Sequence, residues 1–83
     1  MDKVLVEVFV PVIGKSYDAF IPQTSKMSEV VQLVSKSVTE LSRGKFKSDE
    51  STIICDAASG NIFNINLSIY ELEIKNGSKL MLI

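Results

Sequence analysis

The acidic side chains are the first candidates for chemistry in this chain, because a close pair of carboxylates can act as general acid and base. They are scattered along the chain, however, and include Glu7, Asp18, Asp49, Glu50, Asp56, Glu71 and Glu73. The adjacent Asp49 and Glu50 lie in a polar stretch where solvated surface is the expected role. The chain has no histidine, which excludes histidine-activated nucleophiles, histidine metal ligands and histidine proton shuttles. We therefore expect no enzyme, no catalytic residue, no metal site and no cofactor.

The thiol and the glycines also give no sign of a reactive site. Cys55 follows Ile53 and Ile54, and such apolar surroundings favour a buried, inert thiol over a nucleophile. As the only cysteine it cannot form an internal disulfide, which fits a reducing compartment. The glycines are isolated turn residues outside any phosphate-binding run, at Gly14, Gly44, Gly60 and Gly77.

One basic cluster, Arg43-Gly44-Lys45-Phe46-Lys47, could bind nucleic acid or an acidic partner, because an aromatic ring among cations can stack on a base. We expect instead that Phe46 fills the edge of the core and that the cations favour the end of a helix. The formal net charge of −1 argues against a nucleic-acid partner. The cluster stays open as an alternative protein-binding surface.

The length of 83 residues predicts one domain, residues 1–83, near the lower limit for a single hydrophobic core. The apolar run at residues 4–10 is too short for a secretory signal and is interrupted by Glu7. No run approaches the roughly 18 apolar residues that span a bilayer. We therefore expect a cytoplasmic domain without membrane insertion.

The first half of the chain predicts a hairpin followed by a helix. Residues 3–10 and 15–21 are rich in β-branched and aromatic side chains and flank a turn marked by Pro11 and Gly14. Helical spacing follows from about 26 to 43, with Ser25 as the expected N-cap and Gly44 as the stop. The predicted core stripe is Met27, Val30, Val31, Val34, Val38 and Leu41.

The second half predicts the rest of a mixed sheet. Residues 52–56 and 61–63 favour strands, residues 68–72 one helical turn, and residues 79–83 a final strand after the Asn76-Gly77 turn. Leu67, Leu72 and Ile74 are expected in the core, and Tyr70 is expected to pack its ring. One helix across one face of a sheet of four to five strands is an α+β arrangement, the ubiquitin-like β-grasp.

These patterns resemble the small bacterial ubiquitin-like proteins of the YukD/EsaB type over the whole chain. The resemblance rests on Pro22, the helix start near Met27, the run Ile53 to Gly60, and the closing pattern from Leu67 to Leu82. It implies a non-conjugated accessory or regulatory component of Gram-positive type VII (WXG-type) secretion, located in the cytosol, with secretion-system proteins as partners. It also implies no catalytic residues and no Gly-Gly tail.

Two other functions remain open. A sulfur carrier of cofactor biosynthesis shares the fold, but that chemistry needs a terminal glycine carboxylate, and no glycine follows Leu80 before Ile83. A generic ubiquitin-like docking domain of another assembly fits the same residues.

Strand alternation predicts the binding surface. If Val4, Val6 and Val8 face the helix together with Leu80 and Leu82, the intervening residues of both strands must face away. Hairpin pairing places Phe20 beside Leu5 on that face, and Ile54 is expected to extend it. The predicted protein-binding residues are Leu5, Phe9, Phe20, Ile54 and Met81. They would dock a protein partner or a second copy in a weak homo-oligomer.

Overall fold

The computed structural model describes residues 2–83, and within them it has the predicted α+β, ubiquitin-like β-grasp fold with four strands. The elements in chain order are β1 (Lys3–Val10), β2 (Lys15–Pro22), α1 (Met27–Leu41), β3 (Ile54–Asp56) and β4 (Lys79–Leu82). The sheet order is β2-β1-β4-β3, with β1 and β4 parallel and the other pairs antiparallel. The first and last strands therefore lie side by side at the centre of the sheet.

The hairpin of β1 and β2 forms where the sequence placed it. Pro11–Ile13 make one short 3-10 turn, and Gly14 then adopts a φ of 64° while its amide donates to the Pro11 carbonyl at 3.1 Å. Glycine takes this left-handed conformation without the steric cost of a Cβ. The pairing then runs without interruption from Val10 and Lys15 to Lys3 and Pro22.

Helix α1 buries the predicted valine stripe but begins and ends slightly differently. Its N-cap is Lys26, whose amide donates to Glu29 Oε1 at 3.1 Å, so the prediction of Ser25 was off by one residue. The buried stripe contains Met27, Val30, Val31, Val34 and Val38. The prediction that Leu41 is buried was wrong, because the helix ends at this residue and Phe46 from the following loop fills that end of the core. Leu41 is 62% exposed.

The predicted strand at residues 61–63 reduces to one isolated bridge between Cys55 and Ile62. The Asp56 amide donates to the Asn61 carbonyl at 2.9 Å, which closes a tight turn through Ser59 and Gly60. Ile62 remains exposed. Phe63 packs partly against the core, and its amide donates to the Ile54 carbonyl at 3.5 Å.

The segment that leads into β4 is held against the helix start. The Met27 amide donates to the Leu67 carbonyl at 2.8 Å, which satisfies a helix N–H that has no partner within the helix. Residues 69–73 form turns, and the Leu72 amide donates to the Ser68 carbonyl at 3.0 Å, which is the bond of the single helical turn that the sequence predicted. Ile69 and Ile74 are buried here, and Leu72 packs partly against the core. The expectation that Tyr70 packs its ring was wrong, since that side chain is 73% exposed.

Candidate protein-binding surface

The outer face of the sheet, the side away from α1, carries the apolar residues that the sequence singled out. Val4, Val6, Val8 and Val10 of β1 are buried toward the helix, so the alternate residues Leu5 and Phe9 point outward. Leu5 pairs with Phe20, and Phe9 pairs with Met81. Four of the five predicted binding residues therefore share one face.

Exposure differs among these four side chains. Phe20, on the edge strand β2, is 66% exposed, whereas Leu5 and Phe9 are each 37% exposed. Met81 is half-buried. Ile83 follows β4 at 49% exposure and exchanges two backbone hydrogen bonds with Ile53, at 2.8 and 3.0 Å. Phe20 is thus the most accessible aromatic contact on this face.

A charged row divides the outer face, on which strand alternation had already placed Glu7 and Lys79. Glu7 pairs with Asp18 on one side and with Lys79 on the other, so the three side chains form a band across β2, β1 and β4. Leu5 with Phe20 lies on one side of the band, and Phe9 with Met81 on the other. Leu5 and Phe9 are four residues apart, about 13 Å along the strand. A partner must therefore match two apolar groups and the polar strip between them.

The prediction that Ile54 belongs to this surface was wrong. Ile54 pairs with Leu82, and both side chains are buried on the helix side, at 1% and 0% exposure. In this phase Asp56, which pairs with the buried Leu80, also lies on the helix side of the sheet. Asp56 tolerates that phase at the end of β3, where it is half-buried and its Oδ2 accepts bonds from the amide and hydroxyl of Ser59, at 3.1 and 2.8 Å.

Cys55 takes the outer position next to Met81 that Ile54 was expected to hold. It is nonetheless buried, at 1% exposure, with the bridge to Ile62 on its other side. Its Sγ donates a weak bond to the Met81 carbonyl at 3.7 Å. Loss of water around the thiol, with a smaller effect of the Asp56 charge, raises the Cys55 pKa. The predicted burial of this thiol is confirmed.

The alternative surface, the basic cluster at residues 43–47, contains no accessible ring. Phe46 is 5% exposed, as predicted, and its amide donates to Ser42 Oγ at 3.1 Å. Arg43 and Gly44 adopt left-handed φ values of 56° and 79°, which turn the chain back over the end of the helix. The cations thus surround a core side chain, so base stacking on Phe46 is ruled out.

A groove that the sequence did not predict lies between β2 and α1. The groove has a volume of about 240 Å³ and lies beside Tyr17, Ala19 and Ile21 of the strand. Leu33 and Leu41 line its helix side, at 48% and 62% exposure. The sequence did carry one signal for this groove, because Leu33 is an apolar helix residue that falls outside the core stripe.

Across residues 2–83, no three histidine, cysteine or acidic side chains cluster closely enough to hold a metal ion. In the same range, α1 falls short of the length and apolar character that a membrane-crossing helix requires.

No family model matches the sequence, and no curated protein matches it. Solved structures do match. The ubiquitin-like domain of EccD5 from Mycobacterium xenopi has a TM-score of 0.83 and 17% identity, with 100% of this chain and 94% of that one covered. The ubiquitin-like domain of the type VII secretion protein ECCD1 from Mycobacterium tuberculosis has a TM-score of 0.80 and 14% identity, with 100% and 99% covered.

A chain of the MycP5-free ESX-5 inner membrane complex also matches, with a TM-score of 0.82 and 16% identity. All of this chain is covered but only 21% of that one, so this chain spans about a fifth of its length. In all, 237 chains of solved structures match. Identities this low show a shared ubiquitin-like fold, and so broad a set of matches does not by itself select a function.

Proposed function

We propose that this chain is a non-conjugated ubiquitin-like protein-binding module that acts as an accessory or regulatory component of a type VII (WXG-type) secretion system on its cytosolic side. Its docking surface is the outer face of the sheet, with Leu5, Phe9, Phe20 and Met81 as contacts. The exposure of two phenylalanines and a leucine on adjacent strands is the observation that carries the proposal. Exposed apolar groups on one face mark interaction surfaces more often than isolated ones do.

The secretion-system role draws support from two observations. The ubiquitin-like domain of a type VII secretion protein is among the structures with the same fold, and so is part of a chain of an inner membrane complex. Separately, the closing sequence pattern resembles the YukD/EsaB type. We propose that this chain belongs with that type and binds cytosolic parts of the secretion machinery.

The experiment replaces Phe9 and Phe20 together by serine in the organism that encodes the chain. The purified variant should unfold at nearly the same denaturant concentration as the parent, because both rings are partly exposed. It should fail to capture the cytosolic domains of the secretion complex, and secretion of WXG-type substrates should fall. Phe9→Ser alone tests the outer face if the double variant unfolds, because Phe9 does not border the groove between β2 and α1.

The matched control replaces Ile65 and Tyr70 by serine, which also removes two exposed apolar side chains but outside the outer face. This variant should capture partners and secrete normally. Normal capture and secretion by the Phe9 and Phe20 variant would contradict the proposal. An adenylated or thiocarboxylated C-terminus in the mass spectrum of the cellular protein would do so too, because it would show sulfur-carrier chemistry.

A further inference from the structure

The edge of β2 presents unpaired backbone groups next to an apolar groove. The Gln23 amide donates to the Asp2 carbonyl at 3.1 Å, which extends the β1–β2 ladder by one pair. Bonded pairs alternate along an antiparallel ladder, so Tyr17, Ala19 and Ile21 direct their amides toward β1. The residues between them direct theirs away from the sheet, and these are Ser16, Asp18 and Phe20.

These outward amides form a short template for a further strand. β2 is the end strand of the sheet, and within residues 2–83 no backbone partner is seen for the three amides. Pro22 has no N–H and closes the template at its C-terminal end. The free length from Ser16 to Phe20 suits an extended segment of about five residues, which is a common way for a sheet edge to bind a peptide.

The groove next to this edge would receive side chains of such a segment. In an added strand, residues opposite Tyr17, Ala19 and Ile21 point to the helix side of the sheet. There they meet Leu33 and Leu41, which are half-exposed or more. The groove volume of about 240 Å³ is below the roughly 300 Å³ at which small-molecule sites begin. It therefore suits one or two apolar side chains.

One end of the groove is basic. A second depression of about 340 Å³ adjoins it through the shared residues Tyr17 and Leu41. Its charged lining residues are Lys15, Arg43 and Lys45, with no acidic side chain among its lining residues. This end lies where β2 begins and α1 has just ended. An antiparallel added strand would finish there, so its C-terminal residues would meet the three cations.

We infer that the edge of β2 and the groove beside α1 bind an extended peptide segment in which two or three apolar residues precede acidic residues. The segment adds antiparallel to β2, buries apolar side chains against Leu33 and Leu41, and places its carboxylates near Lys15, Arg43 and Lys45. This peptide-binding surface differs from the outer face of the sheet, so an experiment can disprove binding at one surface without disproving binding at the other. It gives the module a second contact, which recognises a linear segment.

The test uses a capped synthetic peptide, Val-Ile-Val-Leu-Asp-Asp-Glu, titrated into the ¹⁵N-labelled full chain. Amide shifts should appear at Ser16, Asp18 and Phe20, and at Leu33 and Leu41. A peptide ending in Lys-Lys-Arg should bind at least about tenfold more weakly, because its charges oppose the basic end. The peptide with its acidic residues first should also bind more weakly, which tests the antiparallel direction.

Two further variants separate backbone pairing from nonspecific attraction. N-methylation of the peptide amides that would face β2 should abolish binding, whereas methylation of the intervening amides should leave it. Leu33→Glu with Leu41→Glu should lose the peptide, whereas Phe9→Ser on the outer face should keep it. The inference is overturned if the peptide causes no shifts at millimolar concentration, if the shifts lie on the outer face, or if the charge-reversed peptide binds equally well.

Discussion

At the scale of single residues, Cys55 should behave as a small apolar side chain. It is 1% exposed and its pKa is raised by loss of water around the thiol, so little reactive thiolate is present at neutral pH. We expect iodoacetamide to label the native chain far more slowly than the urea-unfolded chain, as measured by mass spectrometry. Labelling at equal rates would show that the thiol is accessible in the folded state.

We expect the Glu71 carboxylate to make the stability of the fold depend on pH. The Ser68 amide donates to Glu71 Oε1 at 2.9 Å and the Glu71 amide donates to Ser68 Oγ at 3.1 Å, a reciprocal capping box. Hydrogen bonds to the carboxylate, from the Ser68 backbone first and then from the Ser68 side chain, lower the Glu71 pKa from its ordinary value of 4.5. A carboxyl with a lowered folded-state pKa stabilises the fold above its unfolded value and loses that effect as the pH falls.

We therefore expect Glu71→Gln to unfold more easily than the parent at pH 7. The difference in the free energy of unfolding between variant and parent should shrink as the pH falls below 4.5 and passes through the lowered pKa of Glu71. Chemical denaturation at several pH values measures this, with Glu73→Gln as the control for removal of a nearby charge. A difference that stays constant down to pH 2 would mean that the carboxylate charge does not contribute.

Neighbouring residues in β3 show where sequence reasoning reached its limit. Valines and leucines occupy every second position of β1 and β4, so the sequence predicted which face of each strand is buried. The outward residues Leu5, Phe9, Phe20 and Met81 were therefore assigned to the correct face. In Ile53-Ile54-Cys55 three apolar residues follow one another, so alternation could not decide the phase. Pairing of Ile54 with Leu82 decides it, and that contact is visible only in the folded structure.

At the scale of elements, Leu80 of β4 and Leu41 of α1 should differ sharply in their contribution to stability. Leu80 is 1% exposed in the core, whereas Leu41 is 62% exposed. Leu80→Ala should cost about 2 to 5 kcal/mol, because it removes buried methyl groups and leaves a cavity. Leu41→Ala should change the free energy of unfolding by about 0.5 kcal/mol or less. Equal losses in denaturant titrations would contradict the core assignment.

Leu41 also shows how far helical periodicity can be trusted. The spacing from Met27 to Val38 correctly identified the buried stripe, but periodicity carries no information about where the sheet beneath the helix ends. There Phe46 returns from the loop, and the turn that brings it back depends on the left-handed conformations of Arg43 and Gly44. A contact between a loop residue and the core leaves no repeating apolar pattern in the sequence, so periodicity cannot reveal it.

At the scale of the whole molecule, the chain offers two surfaces of different chemistry. The outer face combines apolar groups with the band of Asp18, Glu7 and Lys79, and the edge of β2 combines free backbone groups with a groove. Phe20 is outward-facing on the edge strand and also borders the groove. Substitution of Phe20 therefore affects both surfaces, whereas Phe9 and Leu33 each report on one.

The charged band can distinguish self-association from binding of another protein. It contains both signs, so two copies related by a two-fold axis can place Glu7 of one against Lys79 of the other. Exchanging the charges, Glu7→Lys with Lys79→Glu, preserves that match in a homo-oligomer because both copies change together. A different partner keeps its own charges and would meet like charges, which costs several kcal/mol for closely apposed groups.

We expect the charge-exchanged variant to fold like the parent, because the two residues remain neighbours of opposite sign on β1 and β4. Binding of the heterologous partner should be lost, and any self-association in sedimentation equilibrium should be unchanged. Glu7→Lys alone is the comparison, since it sets two lysines side by side and should weaken both interactions. Retained partner binding by the charge-exchanged variant would show that the band lies outside the interface.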